Sequence, residues 1–315
     1  RHTIKFIEYC EKVLFFRTLA SPDNDIYIDD VYVPIDIKGV SDVSLVVNDN
    51  VTLNMSKKPI LLRGLAGQGK STLLRKLVVN NMISQRDKLP IFYELKNYKG
   101  GGIITNISTY FGRFGIKMSV SAYDKILRSH NVKLFLDAFD EVSPHLRDEL
   151  IDDIDILINK YNCQVICTSR PGTQIDNLTG LDVYDVKELN KKQISEIIYK
   201  NSNDVEKAKQ LCIALERTPL HKGSESILRT PILVVLYTIS YNYGEDIPDT
   251  LSQFYENIFD TVFFRHDNIK NKVVRERTWN DNRRIYREIF DCFCYLTQKE
   301  GAISFNRSVM TFNIG

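Results

Sequence analysis

The chain has 315 residues, of which 43% are hydrophobic and 26% are charged, and its formal net charge is +2. This composition is typical of a globular protein of about two domains, and so small a net charge gives no electrostatic reason to expect nucleic-acid binding. No apolar run reaches the roughly 18 residues of a membrane span, and six cysteines do not form a disulfide framework at this length, so we expect a cytoplasmic location and no membrane contact.

The first 56 residues predict a lead-in to the main domain. Residues 3–18 carry an apolar stripe that is typical of a helix. Residues 26–28 and 31–37 are rich in β-branched and aromatic side chains, which favours strands. We therefore interpret residues 1–56 as an N-terminal helix followed by a β-rich linker.

Strands and helices alternate in the next part of the chain, residues 57–189. The predicted strands are Ile60–Arg63, Leu89–Glu94, Lys133–Asp137, Gln164–Ser169 and Val183–Val186. The predicted helices are Lys70–Ser84, Gly102–Phe111, Ser121–Ser129 and Pro144–Tyr161. Alternation of continuous apolar strands with helices indicates an α/β fold, in which helices cover both faces of a parallel sheet.

Helices alone are predicted after residue 189. They are Lys191–Lys200, Val205–Leu215, Ser224–Leu228, Pro231–Tyr241, Leu251–His266 and Trp279–Glu300. We assign residues 190–277 to a small helical domain and residues 278–315 to the start of a winged-helix domain. Because the chain begins at an arginine and stops in an unfinished segment, we expect it to be a fragment of a longer protein.

A phosphate-binding loop follows the first strand of the α/β domain. Residues 64–71 match the pattern G-x-x-x-x-G-K-[ST] at every fixed position, between an apolar strand and a helix. Its glycines allow backbone N–H groups to approach phosphate oxygens, and the helix N-terminus adds a positive dipole. We expect Lys70 to reach the β- and γ-phosphates and Ser71 to ligate Mg²⁺. The predicted nucleotide-binding residues are Gly64, Leu65, Ala66, Gly67, Gln68, Gly69, Lys70, Ser71 and Thr72, and the predicted fold is that of a P-loop NTPase.

Three acidic residues end a later strand of the same sheet. Asp137 closes the apolar run 133–137, and Asp140 and Glu141 follow it. Ligands bind at the carboxyl ends of such strands, which places these carboxylates beside the triphosphate. Asp137 is expected to hold Mg²⁺, directly or through water, and either Glu141 or Asp140 is expected to be the general base for the attacking water.

Arg170 is a further candidate for nucleotide contact, whereas Pro231 by itself indicates only the start of a helix. Arg170 follows the strand 164–169, where a fixed guanidinium can sense whether the γ-phosphate is present. Pro231 opens a helical run after Arg229 and Thr230, as proline at a first helical turn often does.

Sequence motifs also indicate which nucleotide base the chain binds. Residues 190–193 lack the aspartate of a guanine-reading N-K-x-D motif, and residues 137–140 lack the glycine of a D-x-x-G switch. We therefore expect ATP and ADP as the ligands, together with Mg²⁺.

Taken together, these motifs resemble those of the NACHT family of STAND signalling ATPases. The phosphate loop at 64–71 resembles the first motif of the family, and residues 137–141 resemble its acidic motif D-G-x-D-E. Residues 168–171 resemble its T-S-R-P strand end, residues 228–232 its L-x-x-P-L segment, and residues 254–258 the helix after that segment. The resemblance covers roughly residues 57–300, and it departs from the family at Ala138, where glycine is usual.

The resemblance implies a molecular switch that hydrolyses ATP slowly. In this family the ADP form is closed by helical and winged-helix domains, and exchange for ATP opens it and permits oligomerisation. The counterpart of Pro231 packs near the adenine. An effector domain usually precedes such a module and a repeat-built sensor follows it, so the implied partners are further copies of the chain and a trigger, possibly a phage protein, bound by that sensor. Many bacterial relatives act in anti-phage defence and animal relatives in innate immunity.

Two other functions share the phosphate loop. A small-molecule or nucleotide kinase needs a mobile lid of arginines, for which the candidates are Arg275, Arg277, Arg283 and Arg284. Such kinases rarely carry the D-x-x-D-E cluster or so long a helical segment after the sheet. A AAA-type remodelling ATPase or DNA-acting motor needs an arginine finger from a neighbouring subunit, and no basic patch with interleaved aromatic residues supports nucleic-acid binding. We therefore favour the switch.

Overall fold

The computed structural model describes residues 2–39, 44–48, 53, 58–84, 88–129, 132–161, 163–202, 204–217, 228–242, 250, 252–259 and 283–299. The chain divides into two compact units, Arg1–Phe263 and Phe264–Gly315. The first unit carries the sheet, the phosphate loop and the helices up to residue 259.

The N-terminal segment begins with a helix and contributes strands to two sheets. Its elements are α1 (His2–Leu14), β1 (Phe15–Phe16), β2 (Ile26–Tyr27), α2 (Ile28–Val31), β3 (Ile35–Gly39) and β4 (Ser44–Val47). The predicted helix 3–18 ends at Leu14, because Phe15 and Phe16 pair as an antiparallel strand with Tyr27 and Ile26.

The prediction of a strand from residue 31 to residue 37 is wrong over its first half. The helix α2 extends to Val31, residues 32–34 lie in neither a helix nor a strand, and the strand begins only at Ile35. Two lysines fix the short helix: Lys76 Nζ lies 2.5 Å from Asp29 Oδ1, and Lys200 Nζ donates a 2.6 Å hydrogen bond to the Asp29 carbonyl oxygen. These contacts over long sequence distances override the local preference of β-branched residues for strands.

The α/β core follows the predicted alternation. Its strands are β5 (Ile60–Arg63), β6 (Leu89–Glu94), β7 (Val132–Asp137), β8 (Gln164–Ser169) and β9 (Asp182–Val186). Its helices are α3 (Lys70–Ser84), α4 (Ile103–Gly112), α5 (Val120–Arg128) and α6 (Arg147–Asn159). The predicted mixed α/β fold of a P-loop NTPase is confirmed, and most boundaries agree within one or two residues. The predicted helix 144–161 is shorter, because residues Pro144–Leu146 form a separate 3₁₀ turn.

One seven-stranded sheet organises the first unit, in the order β4-β3-β9-β5-β8-β7-β6. The five strands from β9 to β6 run parallel, whereas β3 pairs antiparallel with both β4 and β9. Since β8 lies between β5 and β7, the loops that follow these three strands leave the same edge of the sheet side by side. This order places the phosphate loop, the acidic turn and Arg170 together.

Burial of the strands on both faces explains their continuous apolar sequences. All six residues of β7 are buried, and Leu134, Phe135 and Leu136 have no exposed surface. Helices pack on both sides of such a parallel sheet, so neither face is left to water. The core can therefore hold the polar end of β7, Asp137, in a fixed position.

Strand β6 is the last strand of the sheet, and α1 covers part of its outer edge. The Tyr9 hydroxyl donates a 2.8 Å hydrogen bond to the Phe92 carbonyl oxygen and accepts one of 2.6 Å from the Phe92 N–H. Tyr9 is fully buried, and this burial raises the pKa of its phenol. The side chain thus satisfies both backbone groups of one edge residue, as a further strand would.

Four helices complete the described part of the first unit: α7 (Lys191–Asn201), α8 (Val205–Arg217), α9 (Pro231–Asn242) and α10 (252–259). Asn190 and Gln193 form a reciprocal capping box at the start of α7. A second apolar cluster joins these helices; it includes Ile198, Leu211, Val234, Tyr237 and Phe254. The predicted helices 191–200, 205–215 and 231–241 are confirmed within two residues.

The second unit is described for one helix, α11 (Arg283–Lys299), which agrees with the predicted helix 279–300. The predicted winged-helix start at 301–315 lies outside the described residues, as do residues 224–227 and residues 260–266 of the predicted helix 251–266. The domain boundaries at 56, 189 and 277 stay predictions. Every helix in the described ranges is too short or too polar to span a bilayer.

Substitution of Tyr9 by phenylalanine tests the importance of the covered sheet edge. Tyr9→Phe leaves the Phe92 N–H and carbonyl oxygen unpaired in a buried place, so we expect the free energy of unfolding to fall by about 1–3 kcal/mol. Urea denaturation followed by circular dichroism measures the change. Tyr199→Phe removes a hydroxyl from a tyrosine that is 46% exposed and should have little effect. Equal stability of the two variants would contradict the role of Tyr9.

Candidate nucleotide-binding site

The phosphate loop is shaped by two glycines with positive φ angles. Gly67 and Gly69 have φ values of 77° and 82°, which other residues adopt only with strain. A Cβ atom at Gly67 would lie 2.2 Å from Ile232 Cγ2, so the first turn of α9 approaches the loop too closely for any side chain there. The Gln68 side-chain oxygen accepts a 2.5 Å hydrogen bond from the Leu65 N–H and closes the loop on itself.

Lys70 begins α3 and turns its ammonium group back over the loop. Its Nζ atom donates hydrogen bonds of 2.7 Å to the Gly64 carbonyl oxygen and 2.9 Å to the Leu65 carbonyl oxygen. Burial lowers the pKa of Lys70, and the charge of Asp140 opposes that shift more than those of Asp137 and Glu141 do. The acidic residues predicted for the site therefore surround this cation.

Asp137 accepts two hydrogen bonds at one oxygen. Thr168 donates to Asp137 Oδ1 over 2.7 Å, and Ser71 donates to the same atom over 3.1 Å. Thr168 Oγ1 also accepts a 2.8 Å hydrogen bond from the Ala138 N–H. Burial raises the pKa of Asp137, and the hydroxyl bonds of Thr168 and Ser71 partly offset this effect. Thr168 was not predicted as a site residue, although it lies in the T-S-R-P segment that carries Arg170.

The acidic turn after β7 contains a left-handed alanine. Ala138 has φ 61° and ψ 64°, a conformation that costs a residue with a side chain roughly 1–2 kcal/mol and glycine much less. This explains why glycine suits the position in the sequences that the chain resembles. The next three residues, Phe139–Glu141, form a 3₁₀ turn, and the fully buried Phe139 anchors it in the core.

Asp140 and Glu141 differ in what they contact. Both carboxylate oxygens of Asp140 are engaged by Arg170, whose Nε lies 2.8 Å from Oδ2 and whose backbone N–H donates to Oδ1 over 3.2 Å. Glu141 is exposed, and within the described residues its carboxylate has no hydrogen-bond partner. The sequence placed Arg170 near the nucleotide but did not predict its pairing with Asp140.

A cavity of about 370 Å³ joins these groups to apolar side chains. Its polar lining includes the phosphate loop, Asp140, Glu141 and Arg170. Its apolar lining includes Pro231 and Ile232 of α9 and residues that the sequence did not predict, among them Phe16, Val31, Val33, Ile35 and Ile197. A lining of both kinds suits a ligand that carries phosphates and a flat base. Four of these five residues lie within residues 16–35, far in sequence from Ile197 and from the phosphate loop, and the five share no motif.

The donor set also fits a magnesium ion. Mg²⁺ prefers hard oxygen ligands and usually keeps several waters, with one or two carboxylates and the substrate phosphates completing its shell. Ser71 Oγ and Asp137 Oδ1, 3.1 Å apart, are oxygen donors of this kind. No group of three or more His, Cys, Asp or Glu side chains suited to a metal occurs in the described ranges. The site thus favours an ion that is held jointly by a hydroxyl group, one carboxylate and the phosphates of a bound nucleotide.

The sheet order and the phosphate loop define the fold class, that of a P-loop NTPase. Within this class, residues 58–204 match the NACHT domain. The matched range contains the phosphate loop, the acidic turn and Arg170, so the resemblance predicted from the motifs is confirmed over this part of the chain. No curated protein matches the chain.

The chain is also similar to solved structures that include the following three, each at 15% identity or less. The Aeropyrum pernix ORC1 protein, solved in complex with DNA, is 15% identical, with 82% of this chain and 76% of that one covered and a TM-score of 0.41. Domain III of the Thermotoga maritima replication initiation protein DnaA is 14% identical (67% and 88% covered, TM-score 0.39). Caenorhabditis elegans PCH-2 is 13% identical (69% and 64% covered, TM-score 0.36), so this chain spans less than two thirds of that protein.

The buried carboxyl of Asp137 predicts a pH dependence of stability. Because the folded protein holds the Asp137 proton more tightly than the unfolded chain does, ionisation of this group lowers the free energy of unfolding as the pH rises above about 4. Asp137→Asn keeps an oxygen that accepts the two hydroxyl hydrogen bonds but carries no charge. We expect this variant, without nucleotide or Mg²⁺, to gain stability relative to wild type as the pH rises above about 4, as measured by urea unfolding.

Asp124→Asn is the matched control. Hydrogen bonds from Arg128 and Tyr161 lower the pKa of Asp124, so its loss should have the opposite sign and reduce stability as the pH rises. Parallel pH profiles for the two variants would contradict the conclusion that burial, more than hydrogen bonding, sets the direction of the Asp137 pKa shift.

Proposed function

We propose that the chain is an ATP- and ADP-binding switch of the STAND type, with slow Mg²⁺-dependent hydrolysis. The contact between α9 and the phosphate loop is the observation that carries this proposal. The Ile232 N–H donates a 3.3 Å hydrogen bond to the Gly67 carbonyl oxygen, and Pro231 and Ile232 line the cavity beside the loop. A nucleotide bound there lies between the sheet and the helices, so its identity can bias how α9 is placed.

The contacts of the acidic turn favour Glu141 as the general base. A base must be able to accept a proton from the attacking water, and both oxygens of Asp140 already pair with Arg170. Glu141 lines the same cavity with its carboxylate unpaired in the described part of the chain. Lys70 and the loop N–H groups would hold the phosphates, Ser71 and Asp137 would hold Mg²⁺, and the metal would supply neutralisation of the phosphate charge.

Paired substitutions separate binding from hydrolysis. Lys70→Ala should abolish tight ATP and ADP binding, measured by calorimetry, because the phosphates lose the cation of the loop. Glu141→Gln should keep ATP affinity and lower turnover by about 10²–10⁴-fold, the usual contribution of a general base. Asp140→Asn is the matched comparison and should lower turnover less. A larger loss in Asp140→Asn than in Glu141→Gln would assign the base to Asp140.

Arg170 is proposed as the residue that distinguishes ATP from ADP. A ligand shifts an equilibrium between two states only through its different affinities for them. A γ-phosphate competes with Asp140 for the Arg170 guanidinium, and ADP offers no such group. Exchange of this pairing would alter the acidic turn and favour release of α9 from the loop.

Measured affinities test this role. Arg170→Ala should reduce the preference for non-hydrolysable ATP over ADP by about tenfold, the worth of one hydrogen-bonded charge pair. Arg63→Ala is the matched control, because Arg63 also ends a strand at this sheet edge and pairs with an aspartate, Asp185, but does not line the cavity. An unchanged preference in Arg170→Ala would refute the sensor.

The wider role rests on the family resemblance. It supports a function in innate immune or anti-phage defence, in which a trigger and ATP together convert closed protein into homo-oligomers in the cytoplasm. Light scattering of the protein with non-hydrolysable ATP and trigger tests the assembly. Rapid turnover without a trigger, by a protein that stays monomeric under those conditions, would exclude the switch.

A further inference from the structure

We propose that Arg147 is a positioning residue that holds the acidic turn in the geometry required for hydrolysis. Arg147 is the first residue of α6, and its guanidinium reaches back to the turn that precedes the helix. It donates to the Asp140 carbonyl oxygen over 2.8 Å from Nη2 and to the Val142 carbonyl oxygen over 3.0 Å from Nε. This inference rests on the proposed ATP hydrolysis and adds a residue to it.

The two carbonyl groups flank Glu141, the proposed base. A 3₁₀ turn of three residues leaves its last carbonyl groups without partners inside the turn. A planar guanidinium with donors in a fixed fork can bind both at once, which an ammonium group on a flexible stem cannot do as well. The backbone on either side of Glu141 is therefore fixed by one side chain.

A third contact ties the same guanidinium to the loop that follows β8. Arg147 Nη1 lies 3.3 Å from Gln174 Oε1, in the 3₁₀ turn Gln174–Asn177. Arg170 lies in this loop region and holds the Asp140 carboxylate. Asp140 is thus bound through its backbone by Arg147 and through its side chain by Arg170, while the neighbouring Glu141 lines the cavity.

The position of Arg147 in its helix supports a role beyond helix stability. A cation in the first turn of a helix opposes the macrodipole, and acidic residues are preferred there, as Asp148 and Glu149 illustrate. Arg147 thus occupies a position where an acidic residue is preferred, and its guanidinium donates hydrogen bonds to the acidic turn. Nothing in the sequence motifs marks it, since it lies outside the D-x-x-D-E pattern.

Turnover and affinity of the whole chain test the proposal. Arg147→Met keeps the apolar stem but removes all hydrogen-bond donors, so the acidic turn loses the hydrogen bonds to its Asp140 and Val142 carbonyl oxygens. We expect kcat to fall about 10- to 100-fold, as for a small displacement of a catalytic group, with the calorimetric Kd for non-hydrolysable ATP unchanged. Arg147→Lys should restore part of kcat. Arg128→Met, at a helical arginine paired with Asp124, is the control and should leave kcat unchanged.

A double-mutant comparison distinguishes positioning from a general loss of structure. If Arg147 acts through Glu141, then Arg147→Met should lower kcat in the wild-type background but not further in Glu141→Gln. Equal reductions in both backgrounds, or an unchanged kcat in Arg147→Met, would overturn the proposal. If Arg147→Met does not fold, a wild-type kcat in Arg147→Lys overturns it instead.

The outcomes for the two proposals are separable. Wild-type hydrolysis that Lys70→Ala abolishes supports the proposed ATPase whatever Arg147 does. Hydrolysis that persists in Lys70→Ala, or no hydrolysis in the wild type, contradicts the proposed function and removes the reaction for which Arg147 would position a base.

Discussion

Asp137 lies at the end of a strand whose six residues are all buried, and its Oδ1 atom accepts hydrogen bonds from Thr168 and Ser71. These partners come from β8 and α3, so one carboxylate oxygen connects three elements of the fold. The connection is possible only because the sheet order puts β8 between β5 and β7. The spacing of the phosphate loop, the acidic turn and Arg170 depends on this arrangement.

The carboxylate has an unfavourable environment unless a cation is near. Burial raises its pKa, and the two hydroxyl hydrogen bonds compensate only in part. Groups at functional sites often carry such a cost, because a carboxylate that is poorly solvated binds a cation more strongly. The same consideration applies to Lys70, whose pKa burial lowers while the nearby acids oppose the shift. The site therefore holds opposite charges in a poorly hydrated place. The phosphates of a nucleotide would pair with the Lys70 ammonium, and the metal ion of the nucleotide would pair with the Asp137 carboxylate.

The parts of the candidate site that are contiguous in the chain could be predicted from the sequence. The phosphate loop is contiguous, and its glycines, lysine and serine each have a physical role that fixes their spacing, so the position of Lys70 could be predicted along with the helix that it begins. Asp137 could be predicted because an apolar strand that ends in an acid is itself a local pattern. Most of the strand and helix bounds of the α/β core have the same origin in short-range periodicity.

The features that the sequence did not reveal depend on the tertiary fold. The pairing of Arg170 with Asp140 joins residues 30 apart, in the segments that follow two neighbouring strands. The apolar side of the cavity includes Val31 and Val33, which Lys76 and Lys200 help to place by fixing α2 through Asp29. No periodicity or motif reports such contacts, and the misassigned strand at residue 31 has the same cause.

The hydroxyl of Tyr9 has a consequence for how copies of this chain can meet. By occupying the N–H and carbonyl groups of Phe92, it blocks the register in which a foreign strand would add to β6. An incoming strand would have to pull a fully buried aromatic ring out of the core before it could form its first pair of bonds. Continuous β-sheets across subunits at this edge are thereby disfavoured, and contacts between copies on this side must use the surfaces of helices and loops.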